Sequence, residues 1–300
     1  MSSTAEPTTL VLSDLHLGRP GATAQSHRFA DLCARFERVI VNGDVAELHH
    51  AQFREHAEYE VARLQELCAR GGARLELIAG NHDPFVSAAR SMSLADGAIY
   101  LTHGDALHPA IAPWSPYANA MRQAFETAFV SSAAGRDEHE GRLAAAREAS
   151  MAEWRALGAG AYISTIAGMA VRPHRALAVL SYWRRYPSMI HDWATRFAPR
   201  AGTVLIGHSH RSFIRETGGL RIVNTGAYTF PGRPLAVVIE GRQVRVHRID
   251  MERRLFALSP QPIASWPIRH RDGGAPHDAP SARRMNAEAS ASASQSTEVR

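Results

Sequence analysis

Five short apolar segments, each followed at once by a polar loop, constrain the fold of this chain more than any other sequence feature. Each segment is four to six residues long and rich in Val, Leu and Ile, which is typical of buried β-strands. Apolar residues at helical spacing separate the first three segments, over residues 24–37 and 51–70. Strands that alternate with helices predict an α/β fold. The five segments are residues 8–13, 38–42, 74–79, 98–102 and 203–206.

Residues 106–201 form an insertion between the fourth and fifth of these strand-loop units. The insertion is rich in Ala, Arg and aromatic residues, and its spacing predicts several helices. Its most apolar stretch, residues 156–171, has 16 residues, whereas a membrane span needs about 18–20. The insertion is either a helical cap packed on itself or a lid that contacts a substrate. The predicted helices cover about 115–131, 137–157, 161–171 and 174–197.

The end of the chain differs from the rest. Three strand-like segments, residues 220–224, 235–240 and 243–249, have no room for helices between them, and we predict that they pair antiparallel. From residue 268 the sequence turns to Gly, Ala, Ser and Pro with mixed charge, which cannot bury enough apolar surface to fold. The predicted domains are a core of residues 1–105 and 202–267, a helical cap of residues 106–201 and a disordered tail of residues 268–300.

The charged residues exclude several classes of enzyme. All 34 Lys and Arg positions are Arg, which excludes Schiff-base enzymes, P-loop NTPases and protein kinases because each needs an ε-amine. The net charge is +5, and residues 153–200 carry all of it, with seven Arg against two acids. The rest of the chain is neutral on balance and shows no strong nucleic-acid signal. Cys33 and Cys68 form no CxxC pair and no signal peptide is recognisable, so a cytoplasmic location is expected.

Oxygen and imidazole side chains follow all five strand-like segments. Because binding crevices of α/β sheets lie at the carboxyl ends of their strands, we expect these side chains to converge. Buried carboxylates need compensating charge, and Asp, Asn and His without thiolate suit Mn, Fe or Zn. Seven potential ligands exceed the need of one ion, which predicts two ions that share a bridging carboxylate. The nine side chains that follow the segments, and that include the seven potential ligands, are Asp14 and His16 (DLH), Asp44 (GD), Asn81, His82 and Asp83 (NHD), His103 (HG), and His208 and His210 (HSH).

The ordered motifs DLH, GD, GNHD, HG and GHSH resemble those of the calcineurin-like metallophosphoesterase superfamily. The resemblance covers residues 8–105 and 202–250, about half the chain. It implies a sandwich of two mixed β-sheets flanked by helices, an αββα arrangement, here with a helical cap insertion. The implied ligand sets are Asp14, His16 and His210 for one metal and Asn81, His103 and His208 for the other, with Asp44 bridging the two.

The resemblance also implies a mechanism. Two divalent cations about 3.5–4 Å apart, with Mn²⁺ expected first, lower the pKa of a bridging water from 15.7 towards about 7. His82 would protonate the leaving oxygen or stabilise its charge, and Asp83 would orient the His82 imidazole. Arg19 and Arg211 flank ligand motifs and are predicted to bind phosphate. His49, beside the GD motif, is expected to be incidental.

Within the superfamily, SDLHLG, HGD and the helical insertion before GHSH look like the UDP-2,3-diacylglucosamine pyrophosphatase branch, which makes a lipid A precursor and UMP. One departure is His82, where the best-known members of that branch have Arg. An insertion with Trp, Tyr and Arg suits a substrate with an anionic head and an apolar body. It also favours peripheral contact with a membrane surface, here the inner membrane face.

The leading expectation is therefore hydrolysis of a phosphoester or pyrophosphate in a lipid-linked nucleotide or another phosphorylated small molecule. One alternative is a nuclease, or a general phosphodiesterase or phosphatase, of the same superfamily, since Arg side chains also bind phosphate backbones. An alternative of another class is a non-enzymatic scaffold that uses the sheet as a binding surface.

Overall fold

A computed structural model describes residues 6–19, 24–132, 137–157, 173–229 and 232–271 of the chain. Over these residues the predicted α/β fold, a sandwich of two mixed β-sheets flanked by helices, is confirmed. The strands are β1 (Thr9–Leu12), β2 (Arg38–Asn42), β3 (Arg74–Ile78), β4 (Ser91–Leu94), β5 (Ile99–Thr102), β6 (Thr203–Ile206), β7 (Phe213–Thr217), β8 (Leu220–Asn224), β9 (Leu235–Glu240), β10 (Gln243–Glu252), β11 (Leu255–Leu258) and β12 (Ala264–Pro267). The α-helices are α1 (Ala30–Arg35), α2 (Arg54–Gly71), α3 (Ala118–Ser132), α4 (Glu138–Leu157) and α5 (Pro173–Phe197).

The first sheet has the strand order β11-β10-β9-β1-β2-β3, with β12 also paired to β10. Its centre is parallel: β2 pairs with both β1 and β3, and Val41 lies opposite Leu12 and Leu77. The second sheet has the order β4-β5-β6-β8-β7, and β6 runs parallel to both β5 and β8. The parallel strands β1, β2 and β3 of one sheet and β5 and β6 of the other are the five strands that precede the predicted ligand motifs.

The central strands read as unbroken apolar runs because both of their faces are buried. Along β1, Leu10 and Leu12 pack into the cluster that contains α1 and α2, whereas Val11 packs between the two sheets. Along β6, Val204 packs under the helices of the insertion and Leu205 packs between the sheets. The alternation produces four layers, with helices outside and two sheets inside.

Helices α3, α4 and α5 cover the outer face of the second sheet. Met121, Tyr186 and Trp193 pack there against Val204 and Ile222 of the sheet. The predicted helices over 115–131, 137–157 and 174–197 correspond to α3, α4 and α5, and the helix predicted over 161–171 lies outside the described residues. No helix in the described part of the chain is long and apolar enough to span a bilayer.

Two predictions about the end of the chain need correction. Residues 220–224 do not pair with 235–240: β8 forms an antiparallel hairpin with β7 in the second sheet, whereas β9 and β10 pair antiparallel in the first sheet. The folded chain also continues past residue 267. Ile268 is 8% exposed and donates its backbone N–H to Arg242, so the first residues assigned to the tail are packed. Residues 272–300 lie outside the described part of the chain.

Candidate metal centre

The loops that follow β1, β2, β3, β5 and β6 bring the predicted ligands together at one end of the sandwich. Two groups of Asp and His side chains each place their ligand atoms within 4.8 Å of one another, and Asp44 belongs to both groups. Asn81 adjoins the second group, since its Oδ1 lies 2.9 Å from Nδ1 of His208. These two groups are Asp14, His16, Asp44 and His210, and Asp44, His103 and His208. A third group of potential ligands, His16, Glu47 and His82, does not include Asp44.

The backbone of these loops is unusual at the ligand positions. Asp14, His16, Asp44, His208 and His210 all have left-handed backbone conformations, with φ between 48° and 67°. Such φ values are uncommon for non-glycine residues, although Asp and His tolerate them better than most. The first two loops hold each other in place, because Asp14 and His16 donate their N–H groups to the carbonyls of Gly43 and Asp44, both at 3.0 Å. These unfavourable conformations coincide with the candidate site, as is common at functional sites.

Two glycines leave room for the ligands. Gly43 has φ of 83°, and a Cβ there would lie 2.3 Å from the ring of His103. A Cβ on Gly80 would lie 2.2 Å from Oδ1 of Asp44. The GD and GN dipeptides of the motifs are therefore required by close packing against ligand side chains, and not only by turn geometry.

The ring orientations of two histidines fit a bound cation. His103 donates from Nδ1 to the carbonyl oxygen of Asn42 at 3.1 Å, which leaves its buried Nε2 with no hydrogen-bond partner among the described residues. That Nε2 lies 3.2 Å from Oδ2 of Asp44. His208 has its Nε2 3.2 Å from the carbonyl oxygen of Ile111. Because a carbonyl only accepts, neutral His208 carries its proton on Nε2 and presents a lone pair at Nδ1.

Electron-rich atoms therefore face one another at several points of the site. The Nδ1 of His208 faces Oδ1 of Asn81, and the Nε2 atoms of His16 and His210 lie 2.9 Å apart. Oxygen and imidazole ligands converging without thiolate are suited to a divalent cation. The residues present thus fit two metal ions that share Asp44.

The charges of the site are strongly coupled. Burial raises the pKa of Asp14 to about 6, although His103 opposes the shift. Burial would also raise the pKa of Asp44, but His103, His82 and His16 together lower it well below its usual range. The pKa of His103 rises to about 10, because Asp44 outweighs the effect of burial. Burial, helped by His103, lowers the pKa of His208 to about 4. Protonated imidazoles thus compensate the carboxylates, a role that bound cations would take over.

The predicted role of Asp83 is wrong. Its carboxylate is fully buried and accepts hydrogen bonds from the backbone N–H groups of Val45, Ala46 and Gly80. The group that orients the His82 imidazole is Glu47, whose Oε2 accepts from Nδ1 of His82 at 2.8 Å. Asp83 instead holds the loop after β2 against the loop after β3.

His82 itself lies at the edge of the cluster and is partly exposed. Its side chain is 25% exposed, and its Nε2 lies 4.0 Å from Oδ2 of Asp44. Burial would lower the pKa of His82, but Glu47 and Asp44 outweigh it and raise this pKa to about 10. His49, for which the sequence predicts no role in the site, packs edge-on against His82 with ring centroids 4.2 Å apart.

The two predicted phosphate-binding arginines border the site from different sides. Arg19 has its Nη1 3.7 Å from Oε1 of Glu47 and is 20% exposed. The guanidinium of Arg211 lies over the ring of Trp183 on α5, 5.7 Å from its centroid. Both therefore flank the ligand loops, as the sequence predicts, and each already has a partner in the protein.

The insertion contacts the candidate site directly. Trp183 and Tyr186 of α5 donate hydrogen bonds to the carbonyls of Ser209 and Gly207, at 2.9 and 3.0 Å. Ile111, at the start of the insertion, has φ of 51° and directs its carbonyl towards His208. The cap therefore both packs on the second sheet and supports the HSH loop.

Three residues that sequence reasoning missed help to build the site: Asn42, Glu47 and Ile111. Asn42 ends β2 immediately before the GD motif, and Glu47 follows Asp44 by three residues. Because Asn42 and Glu47 lie beside a ligand motif in the sequence, their positions could have identified them as candidate site residues. Ile111 carries no such signal, because only its backbone carbonyl takes part.

The sequence matches no protein-family model, and no curated protein matches it. Among solved structures, the chain is similar to vacuolar protein sorting 29 from Cryptosporidium parvum, with 14% identity, a TM-score of 0.42, and coverage of 87% of this chain and 100% of that one. It is also similar to YfcE, a phosphoesterase from E. coli, with 13% identity, a TM-score of 0.40, and coverage of 87% and 100%. A third similar structure is Vps29 from Entamoeba histolytica complexed with zinc, with 12% identity, a TM-score of 0.40, and coverage of 84% and 97%. Because these TM-scores are below 0.5, the functional assignment rests on this chain's own side chains.

Proposed function

We propose that this protein is a metal-dependent phosphohydrolase with two metal ions, of the calcineurin-like metallophosphoesterase type. The observation that carries the proposal is the position of Asp44, a buried carboxylate that belongs to both groups of potential ligands. A carboxylate with two oxygens between two sets of imidazole nitrogens is suited to bridging two cations. We propose Mn²⁺ as the metal, with Fe and Zn as the alternatives, because carboxylate, amide and imidazole ligands without thiolate suit all three.

Each cation has its own set of ligands besides Asp44. In this proposal Asp14, His16 and His210 hold one ion. A second set of three residues holds the other ion. When bound, a pair of divalent cations neutralises charge on phosphoryl oxygens and makes water a nucleophile at neutral pH. The second set consists of Asn81, His103 and His208.

The protein's own side chains supply the proton and the substrate contacts. His82 keeps its Nδ1 proton in the hydrogen bond to Glu47, so that Nε2 is the atom that delivers a proton to the leaving oxygen. The side chain of His82 is partly exposed, so a substrate can approach it. Arg19 and Arg211, on either side of the ligand loops, are placed to bind phosphate oxygens.

For the substrate, we propose a lipid-linked nucleotide such as a UDP-diacylglucosamine, cleaved at its pyrophosphate. Support comes from the mixture of aromatic and cationic side chains around Phe85, three residues after His82 in the sequence. Phe85 is 59% exposed, with the guanidinium of Arg147 5.8 Å from its ring centroid and the Trp154 ring 6.0 Å away. Such a surface suits an anionic head with an apolar body. We place this activity in the cytoplasm, with the cap in contact with the inner membrane face.

A substrate panel tests the proposal. Purified protein is incubated with Mn²⁺ and, separately, UDP-2,3-diacylglucosamine, single-stranded DNA and bis-p-nitrophenyl phosphate, with Asp44→Asn as the matched inactive control. Release of UMP by the wild type and not by the variant supports the lipid-linked substrate. Cleavage of DNA or only of the synthetic diester supports a nuclease or a general phosphodiesterase and overturns the substrate. Turnover of none of the three, by a protein that is folded in circular dichroism, favours a non-enzymatic scaffold and overturns the enzymatic proposal.

A further inference from the structure

A cavity of about 530 Å³ lies between the core and the first turns of α4 in the insertion. None of the predicted metal ligands lines it. Residues 88–91, which lead into β4, form its wall on the core side. The opposite wall is one face of α4 and the residue before it, because its members are spaced three or four apart. These members are Asp137, Glu140, Leu143, Ala144 and Arg147.

Arg90 is the buried cation of this cavity. It is 6% exposed, and its Nη2 donates to Oδ2 of Asp105. Its Nε and Nη1 are also buried, and neither has a hydrogen-bond partner among the described residues. Buried polar atoms in folded proteins nearly always have a partner, and a guanidinium keeps its charge and all its N–H donors when it is buried. These donors of Arg90 therefore require an acceptor that the described side chains do not supply.

Arg147 brings a second guanidinium to the cavity from α4. Its Nη2 lies 3.4 Å from the carbonyl oxygens of Ser87 and Ala88, which is long for a hydrogen bond. Its Nε is buried without a partner, and no carboxylate of the described residues lies within ion-pair distance of Arg147. Burial lowers the pKa of Arg147, and the charge of Arg90 lowers it further. Two cations thus share the cavity, and the carboxylate of Asp105 compensates only one of them.

The acidic residues of the cavity do not fill this role. Asp137 is exposed, and the side chain of Glu140 is 66% exposed. Because water and salt screen charges at such positions, these carboxylates contribute little to compensating the buried guanidinium groups. An anion bound between the two arginines would supply both the missing charge and the missing acceptors.

The core side of the cavity is held in place by backbone hydrogen bonds. The carbonyl of Ala89 accepts from the N–H of Ala79 at 2.8 Å, and the carbonyl of Arg90 accepts from the hydroxyl of Thr102 at 3.2 Å. The ion pair with Asp105 fixes the far end of the Arg90 side chain. Because these groups are already ordered, little conformational freedom has to be lost when a ligand binds.

We propose that this cavity is a binding site for a phosphate-class oxyanion, held between Arg90 and Arg147. Guanidinium groups form short, charge-assisted hydrogen bonds to phosphate oxygens, which explains the choice of ligand. The site joins the core to the insertion and needs no metal ion, so it goes beyond the proposed function. The oxyanion is either free phosphate or the phosphoryl group of a larger molecule.

The test is a calorimetric titration of the metal-free full-length chain, in the presence of a chelator, with inorganic phosphate and separately with UMP. We expect one oxyanion to bind per chain. Arg147→Met removes one guanidinium, whereas Arg90→Lys keeps a cation beside Asp105 but lacks the Nε and Nη1 donors. Each variant is expected to weaken binding by about 10–100-fold, as the loss of charge-assisted hydrogen bonds predicts.

Arg142→Met is the matched control, because Arg142 also lies on α4, pairs with Glu138 and does not line the cavity. It is expected to leave the Kd unchanged. Arg211→Met is a second control, since Arg211 flanks the candidate metal centre and would bind phosphate there. It is also expected to leave the Kd unchanged. If Arg90→Lys does not fold, Arg147→Met decides the test.

The outcomes separate the two sources of the ligand and can overturn the site. Phosphate binding at least as tight as that of UMP, and weakened in Arg147→Met, supports a site for the free ion. Tighter binding of UMP with the same sensitivity supports the phosphoryl group of a larger molecule. If neither compound binds at millimolar concentration, or if Arg147→Met and Arg90→Lys bind like the wild type, the proposal is refuted. Loss of binding in Arg211→Met alone would place the oxyanion at the metal centre and refute it as well.

Discussion

The side chain of Asn42 links the two sheets directly beneath the candidate metal centre. It is 1% exposed and comes from β2 of the first sheet. Its Nδ2 donates to the carbonyl oxygens of Thr102 and Leu205 in the second sheet, at 3.0 and 3.1 Å. These carbonyls belong to the ends of β5 and β6, where the loops with His103 and His208 begin. We therefore predict that Asn42→Ala loosens the contact between the sheets at the site.

The magnitude follows from the two hydrogen bonds. Leaving a buried acceptor without its donor costs about 1–3 kcal/mol, so the loss of two hydrogen bonds is expected to lower the free energy of unfolding by about 2–6 kcal/mol. For a chain of this size, 1 kcal/mol corresponds to about 2–4 °C in Tm, so about 3 kcal/mol lowers Tm by about 6–12 °C. The backbone carbonyl of Asn42, which accepts from His103, is retained in the variant.

Scanning calorimetry of the metal-free protein in the presence of a chelator measures this effect without a contribution from bound ions. Asn119→Ala, which truncates an exposed asparagine on α3, is the matched control and is expected to leave Tm within about 1 °C of the wild type. If Asn42→Ala behaves like this control, the two hydrogen bonds do not hold the sheets together and the reasoning is refuted.

Three further predictions concern the metals, the close packing around them and the chain end. Mn²⁺ at 100 times its Kd is expected to stabilise the wild type by about 2.7 kcal/mol per site. The Asp44→Asn variant should lose this stabilisation in thermal scans. Full stabilisation of the variant by Mn²⁺ would contradict the role of Asp44 as a ligand shared by both ions. Gly80→Ala places a Cβ 2.2 Å from Oδ1 of Asp44. The variant is expected to be destabilised by about 1–3 kcal/mol and to bind Mn²⁺ more weakly in calorimetry. An unchanged Kd for Mn²⁺ would show that the Asp44 side chain can move without loss of metal affinity. Deleting residues 272–300 should leave Tm unchanged. Deleting residues 268–300 also removes the buried Ile268 and should lower the free energy of unfolding by about 1.5–3 kcal/mol. Equal Tm values for the two truncated proteins would show that Ile268 does not contribute to stability.

The central strands could be predicted because burial on both faces leaves a strong local signal. Strands β1, β2 and β6 are continuous apolar runs, and each follows from its sequence alone. Strands β4 and β7 were missed because they pair on one side only in the second sheet and carry polar residues such as Ser91 and Glu216. The predicted partner of β8 was wrong for a different reason. Adjacency in sequence favours pairing with β9, but β8 and β9 belong to different sheets.

The candidate ligands could be predicted as a group because each follows a buried strand directly, and the carboxyl ends of parallel strands meet at one edge. The positions of single side chains could not be predicted in the same way. Asp83 adjoins His82 in sequence, yet its carboxylate accepts hydrogen bonds from backbone N–H groups. Glu47, 35 residues away from His82, contacts the imidazole. Contacts between separate loops depend on how far each loop runs beyond its strand, which local sequence does not determine.

The two-metal account is tested most directly by X-ray diffraction from crystals soaked in Mn²⁺, with data collected at the manganese absorption edge. The account predicts two anomalous peaks about 3.5–4 Å apart, both within bonding distance of the Asp44 carboxylate. A single peak, no peak, or two peaks that do not share Asp44 would contradict it.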